Sequence, residues 1–149
     1  MSEFFYVLDD DARLLFVDDD PILREFARVN LASANATVDV AADGLEAIQA
    51  LETGAYDLVL TDLEMPGIDG FGLLAHIRAS PRLRHLPVVV ETGREDVDAI
   101  DRAFRAGATA FVTKPLNWRL LTYQLRFTLR AARAEARLRA VAEREARAA

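Results

Sequence analysis

The chain has 149 residues, 52% apolar and 28% charged, with a formal net charge of −6; it can form one full hydrophobic core and is too apolar to be a disordered chain. It holds no cysteine and only two histidines, His76 and His85, which excludes a disulfide scaffold, a thiolate or iron–sulfur centre, a cysteine nucleophile and a histidine-rich metal site. The charge is uneven: residues 117–149 carry eight arginines against three glutamates, net +5, while residues 1–116 carry −11, and so acidic a body argues against nucleic acid as its direct partner.

The start, MSEFFYVLDDDAR, lacks the basic residues of a secretory signal. No apolar run approaches the roughly 20 residues of a membrane span. A soluble, cytoplasmic protein without a membrane partner is expected. Residues 1–12, with the apolar run Phe4–Leu8 and the acids Asp9, Asp10 and Asp11, read as an N-terminal extension because a strand, not a helix, follows at once.

Leu14–Val17 is a continuous apolar run that ends in Asp18, Asp19 and Asp20. Pro21 then opens a helix, where its missing N–H costs nothing; Ile22, Leu23, Phe26, Val29 and Leu31 fall on or near one face. Thr37–Ala41 reads as a β-branched strand. Asp43 can cap a helix carrying Leu45, Ala47, Ile48 and Leu51 that stops near Gly54. Asp57–Thr61 is a buried-type strand ending in Asp62. Pro66, Gly67 and Gly70 form a loop, Asp69 caps, and Phe71, Leu74 and Ile77 pattern a helix up to Pro81. Leu86–Val90 is a fourth strand, ending in Glu91, Thr92 and Gly93. Glu95–Ala106 reads as a helix with Val97, Ile100 and Phe104 inward. Thr109–Thr113 is a fifth strand, followed by Lys114 and Pro115. A last helix runs from Asn117 to about Ala146.

Five β–α repeats with near-continuous apolar strands predict an α/β fold: a doubly wound, five-stranded parallel sheet covered on both faces. Such sheets bind ligands beyond the carboxyl ends of their strands. At those ends stand Asp18, Asp19 and Asp20, then Asp62, Thr92 and Lys114. One acid after a strand is usually a helix cap. Three segments distant in sequence placing polar groups at one sheet edge are not so explained. Carboxylates held about 4 Å apart repel by about 4 kcal/mol per pair at an effective dielectric near 20, so one protonates or a cation joins them. Oxygen ligands alone favour a hard cation, Mg²⁺ above all. With a lysine and a hydroxyl, the set suits phosphoryl chemistry, in which a carboxylate can itself be the nucleophile.

The segments FVDDDP, LTDLEMPGIDG, ETG and FVTKP, with 30 residues from Asp62 to Thr92 and 52 from Asp62 to Lys114, resemble the motifs of two-component response-regulator receiver domains over about residues 12–130. The resemblance implies a flavodoxin-like strand order of 2-1-3-4-5. It makes Asp62 the phospho-acceptor, taking its phosphoryl group from a sensor histidine kinase or phosphotransfer protein. It implies Mg²⁺ held by Asp19, Asp62 and the backbone carbonyl of Glu64, with Asp18 acting through water. Lys114 would pair with phosphoryl oxygens. Thr92 and Phe111 would form the switch, altering the face made by the fourth helix, fifth strand and fifth helix. The Lys114–Pro115 bond is often cis in this family. Glu64 and Arg94 resemble positions that tune aspartyl-phosphate lifetime. The chain is then a switch rather than a turnover enzyme.

Glu91 departs from the pattern, which has an apolar residue there; it either faces solvent or sits near the site and weakens anion binding. Asp20 and Asp69 read as helix caps, His76 and His85 as surface or core-edge residues, and Trp118 as packing at the start of the last helix. Asp18-x-Asp20 also fits the first motif of haloacid-dehalogenase-like phosphatases, but no aspartate follows Lys114 to complete that family's metal site. A degenerate receiver acting as an unphosphorylated interaction module is the third reading, kept because of Glu91.

Residues 13–130 form the receiver and residues 131–149 extend its last helix. Phe127, Ala131, Ala134, Leu138 and Val141 recur at spacings of 4 and 3, a short coiled-coil seam. The expectation is a homodimer through this helix, leading to an output module beyond residue 149. The sequence around it resembles linkers before GGDEF/EAL, PAS or kinase modules. A lone solvated helix is the bland alternative, and the arginines lack the interleaved aromatics of a nucleic-acid surface.

Overall fold

A computed structural model describes residues 11–93 and 96–149. The predicted extension 1–12 lies almost wholly outside the described residues, and so does Arg94. Five strands and five helices alternate: β1 Ala12–Val17, α1 Pro21–Leu31, β2 Ala36–Ala41, α2 Gly44–Thr53, β3 Leu58–Asp62, α3 Gly70–Ala79, β4 Val88–Gly93, α4 Val97–Arg105, β5 Ala110–Lys114 and α5 Trp118–Ala148. The strands form one parallel sheet in the order β2-β1-β3-β4-β5, as expected.

Side chains alternate along each strand, and the two faces build separate cores. Leu15, Val17, Val59, Val88 and Val90 pack under α2, α3 and α4. Leu14, Phe16, Leu60, Val89 and Val112 pack under α1 and α5, against Ala27, Leu31, Leu121, Leu125 and Leu129. Each helix starts where a short polar side chain satisfies its free N–H groups. Asp20, Asp43, Asp69, Asp96 and Asn117 accept from Ile22, Glu46, Gly72, Ala99 and Leu120 respectively, at 2.8–3.1 Å.

Two helix faces differ from the sequence expectation. In α1 the sheet takes Ala27 and Leu31, leaving Ile22, Phe26 and Val29 exposed. In α4 it takes Ala103, with Ala99 packed against the core, while Val97 and Phe104 are exposed. Alanine lets a helix lie close to the sheet, and the bulkier residues then turn outward. Leu45 of α2 is likewise exposed.

Helix α5 has 31 residues, about 46 Å at 1.5 Å per residue. Trp118 packs at its start, with ring centroids 6.3 Å from Phe16 and 6.4 Å from Phe26. Further along, Arg133 donates to the carbonyl of Asp11 at 2.6 Å and stands 3.7 Å from the carboxylate of Asp57. That contact fastens α5 to the amino edge of the sheet, the end opposite the predicted site. No helix of the described residues is long and apolar enough to cross a membrane.

Candidate functional site

Strand alternation places the site. Phe16, Leu60, Val89 and Val112 share the face under α1 and α5. Two residues further along each strand stand Asp18, Asp62, Glu91 and Lys114, so all four belong to that face. The pairing register sets them in a row: Phe16 faces Leu60, Asp62 faces Glu91, and Lys114 faces Gly93, one same-face step beyond Glu91. Thr92 continues the other face, that of Val90, and pairs with Thr113 while Val90 pairs with Phe111. Thr92 and Phe111 are therefore diagonal neighbours on the α4 side.

At the end of this row Asp18, Asp19 and Asp62 each offer a carboxylate oxygen, all within 4.8 Å of one another. Asp18 and Asp62 are buried, whereas Asp19 is exposed. Local backbone fixes their aim. One oxygen of Asp18 accepts from the N–H of Asp20 at 2.9 Å, and its carbonyl accepts from Arg24 at 2.9 Å. Asp62 accepts from the N–H of Glu64 at 3.2 Å. Gly70 lets the following loop fold back: a Cβ there would meet the Asp62 carbonyl at 2.5 Å, and its N–H donates to Leu63 at 3.0 Å. Lys114 reaches across from β5 and donates to the other oxygen of Asp62 at 2.8 Å. The Lys114–Pro115 bond is cis.

The charges are unbalanced. Burial raises the Asp18 pKa and the carboxylate of Asp62 adds to the rise, opposed by the Asp20 N–H. Burial works against the charge of Lys114, but its hydrogen bond to Asp62 and the surrounding carboxylates outweigh that and leave its pKa raised. Glu91 is 0% exposed and its carboxyl lies against that of Asp18. With both groups ionised, neither oxygen of Glu91 nor Oδ2 of Asp18 has a donor; a proton on Glu91 lets it donate to Asp18. Burial first, then the fields of Asp18 and Asp62, push its pKa up to about 9. Of the two positions open to Glu91, the one near the site is the one it takes: it lies within the acid row.

Beside the row opens a cleft of about 510 Å³ that includes Asp62, Glu64, Thr92 and Lys114 together with Phe71 and Arg102. The guanidinium of Arg102 lies 3.9 Å from the Phe71 ring centroid, a rim contact that sequence reasoning missed. Thr92 is buried, and its hydroxyl donates to the carbonyl of Gly93 at a long 3.5 Å. Phe111 is 41% exposed and packs edge-on against Phe104. Asp20 is taken up by capping α1 and is not among the clustered carboxylates, which removes the Asp18-x-Asp20 pair a dehalogenase-like phosphatase would use. Asp69 is also a cap; His85 is exposed and His76 half-buried.

Comparison with known proteins agrees with this geometry. The family model for the response regulator receiver domain matches residues 14–126. Chemotaxis protein CheY-3 of Vibrio cholerae is 36% identical over 113 residues, 74% of this chain and 86% of that protein. A gliding motility regulatory protein of Myxococcus xanthus is 34% identical over 102 residues, 68% of this chain and 13% of that protein. The chain thus spans most of one relative and a small part of the other. The crystal structure of the Vibrio cholerae chemotaxis response regulator CheY4 superposes with a TM-score of 0.74 at 27% identity, covering 78% of this chain and 98% of that one. With matched sequence, strand order and clustered acids in agreement, the chain belongs to the response regulator receiver domain family.

Proposed function

We propose that this chain is a phosphorylation-controlled switch in which Asp62 is the acceptor. The observation that carries the reading is the meeting of Asp18, Asp19 and Asp62 within 4.8 Å, with Asp62 held by Lys114 at 2.8 Å. An oxygen of Asp62 attacks the phosphorus of a phosphohistidine on a sensor kinase or phosphotransfer protein. The phosphorus–nitrogen bond breaks, and the nitrogen leaves with its electron pair. Lys114 balances charge on the phosphoryl oxygens in flight.

The donor set fits Mg²⁺. It is all oxygen, and it concentrates negative charge. Asp19, Asp62 and the carbonyl of Glu64 would hold the ion, with Asp18 acting through water. When bound, it neutralises phosphoryl charge.

Phosphorylation adds up to two negative charges and new acceptor oxygens. Thr92, weakly engaged at 3.5 Å, gains a better partner by turning its hydroxyl toward them. That turn clears space beside its diagonal neighbour Phe111, which moves inward and repacks the α4, β5 and α5 face. The chain would dimerise through α5, act in the cytoplasm, and regulate an output module of GGDEF/EAL, PAS or kinase type, without direct contact to nucleic acid or membrane.

The test is incubation with acetyl phosphate and Mg²⁺ followed by intact mass measurement. A gain of about 80 Da that disappears in Asp62→Asn supports the reading. The buried carboxyl of Glu91 favours one rival, an unphosphorylated interaction module, because it adds an acid where a phosphate must settle. No adduct under any condition establishes that rival.

A further inference from the structure

Helix α5 carries two apolar stripes. The inner one, Leu121, Leu125 and Leu129, is buried against the body. The outer one consists of Leu120, Phe127, Leu138 and Val141, which are 54%, 64%, 69% and 40% exposed. These are all the large exposed apolar residues of α5 among the described residues. At 3.6 residues per turn the outer stripe lies on the opposite side of the helix from the inner one. The body therefore covers one side and leaves the other bare.

The outer stripe is a heptad seam longer than the sequence alone suggested. Leu120, Phe127, Ala134 and Val141 take the d positions; Gln124, Ala131 and Leu138 take the a positions. Three heptads of this kind match a second helix of the same period. The flanks say which helix. Arg130 and Arg137 occupy g positions, and Glu135 occupies an e position. In a parallel pair each g position faces the partner's e position five residues on, which sets Arg130 against glutamate. In an antiparallel pair g faces g, which sets arginine against arginine. Gln124, the one polar residue in the seam, also fixes register: only in-register parallel packing gives its amide another amide to bond.

We propose that a second copy of this chain docks along the outer stripe of α5, parallel and in register, with Arg130 beside Glu135 of the partner subunit. This deepens the dimer reading above and rests on it. Both acid clusters then point the same way, and both α5 ends emerge side by side.

The full chain has no cysteine, so one introduced thiol reports cleanly. Gln124→Cys in the 149-residue protein, under mild oxidation, should give a covalent dimer. Antiparallel packing along this seam keeps the two thiols roughly 25 Å apart, and a one-heptad slip keeps them about 10 Å apart, both too far for a disulfide. Light scattering across a concentration series should show Arg130→Glu raising the dimer dissociation constant roughly fivefold, with Arg130→Glu/Glu135→Arg restoring it. A dimer in which Gln124→Cys forms no disulfide link, or one that Arg130→Glu leaves unchanged or tightens, overturns the parallel pairing while the dimer itself stands. Monomer at every concentration, with and without acetyl phosphate and Mg²⁺, overturns the dimer too. The Asp62 adduct, measured on each variant, shows that the body is folded.

Discussion

Glu91 stands opposite Asp62 in the β3–β4 register, so the Asp62 carboxylate has a second, fully buried carboxyl as its neighbour across the sheet. Asp18 flanks Asp62 on the other side, and Lys114 is the cation that reaches the row. Asp18, Asp19 and Asp62 against one lysine is an arrangement in which added positive charge is favourable and added negative charge must be compensated, while Glu91, which keeps its proton up to about pH 9, adds no charge at neutral pH.

Glu91 should lower stability as pH rises. Its unfolded carboxyl titrates near 4.5 and its folded one at about 9. The unfolded chain therefore loses this proton first, and stability is lost progressively between those two values. In metal-free protein, Glu91→Gln should be more stable than the parent at pH 8 by several kcal/mol, about 1.4 kcal/mol for each pH unit above 4.5, and the gain should shrink towards pH 4.5. Urea unfolding at several pH values measures this. A variant less stable than the parent at pH 8 contradicts it.

Mg²⁺ should stabilise the fold through the acid cluster. At a hundredfold excess over its dissociation constant, the gain is about 2.7 kcal/mol. Chelation should reverse it, and Asp19→Asn or Asp62→Asn should reduce it. Thermal unfolding with and without the ion is the check; an equal gain in Asp62→Asn excludes this site.

Lys114→Gln should slow phosphorylation of Asp62 by acetyl phosphate about 10²-fold, the usual loss when one charge-stabilising donor is removed. The rate of mass gain is the readout. An unchanged rate means that Lys114 serves only to hold Asp62 before reaction.

Gly70→Ala should destabilise the protein by about 1–3 kcal/mol, the usual cost of forcing an extra methyl into a packed site. Its Cβ would lie 2.5 Å from the Asp62 carbonyl and 2.7 Å from Leu63 Cα, and backbone atoms cannot swing aside. Chemical denaturation measures the loss. Wild-type stability would mean that the loop between Asp62 and Gly70 shifts freely.

The strand ends make the site legible in the sequence. A parallel sheet brings the residues after its strands to one edge, which singles out Asp18, Asp62, Thr92 and Lys114. Glu91 can be found by the same logic. It lies two residues after Val89 on an alternating strand, so it must share the face of Asp62. The inner faces of α1 and α4 are not legible from bulk, because bulk is a poor sign of burial there; Ala27 and Ala103 are what the sheet accepts. Leu120 falls outside the α5 seam read from sequence, because the sequence does not say which apolar residues the body leaves uncovered.

Arg133 divides α5 into two spans of about 22 Å, one reaching back to Trp118 and the other out to Ala148. Its first span is packed on the sheet through Leu121, Leu125 and Leu129, so the helix has the geometry of a cantilever. A small rotation of the packed half becomes a larger displacement at the Ala148 end.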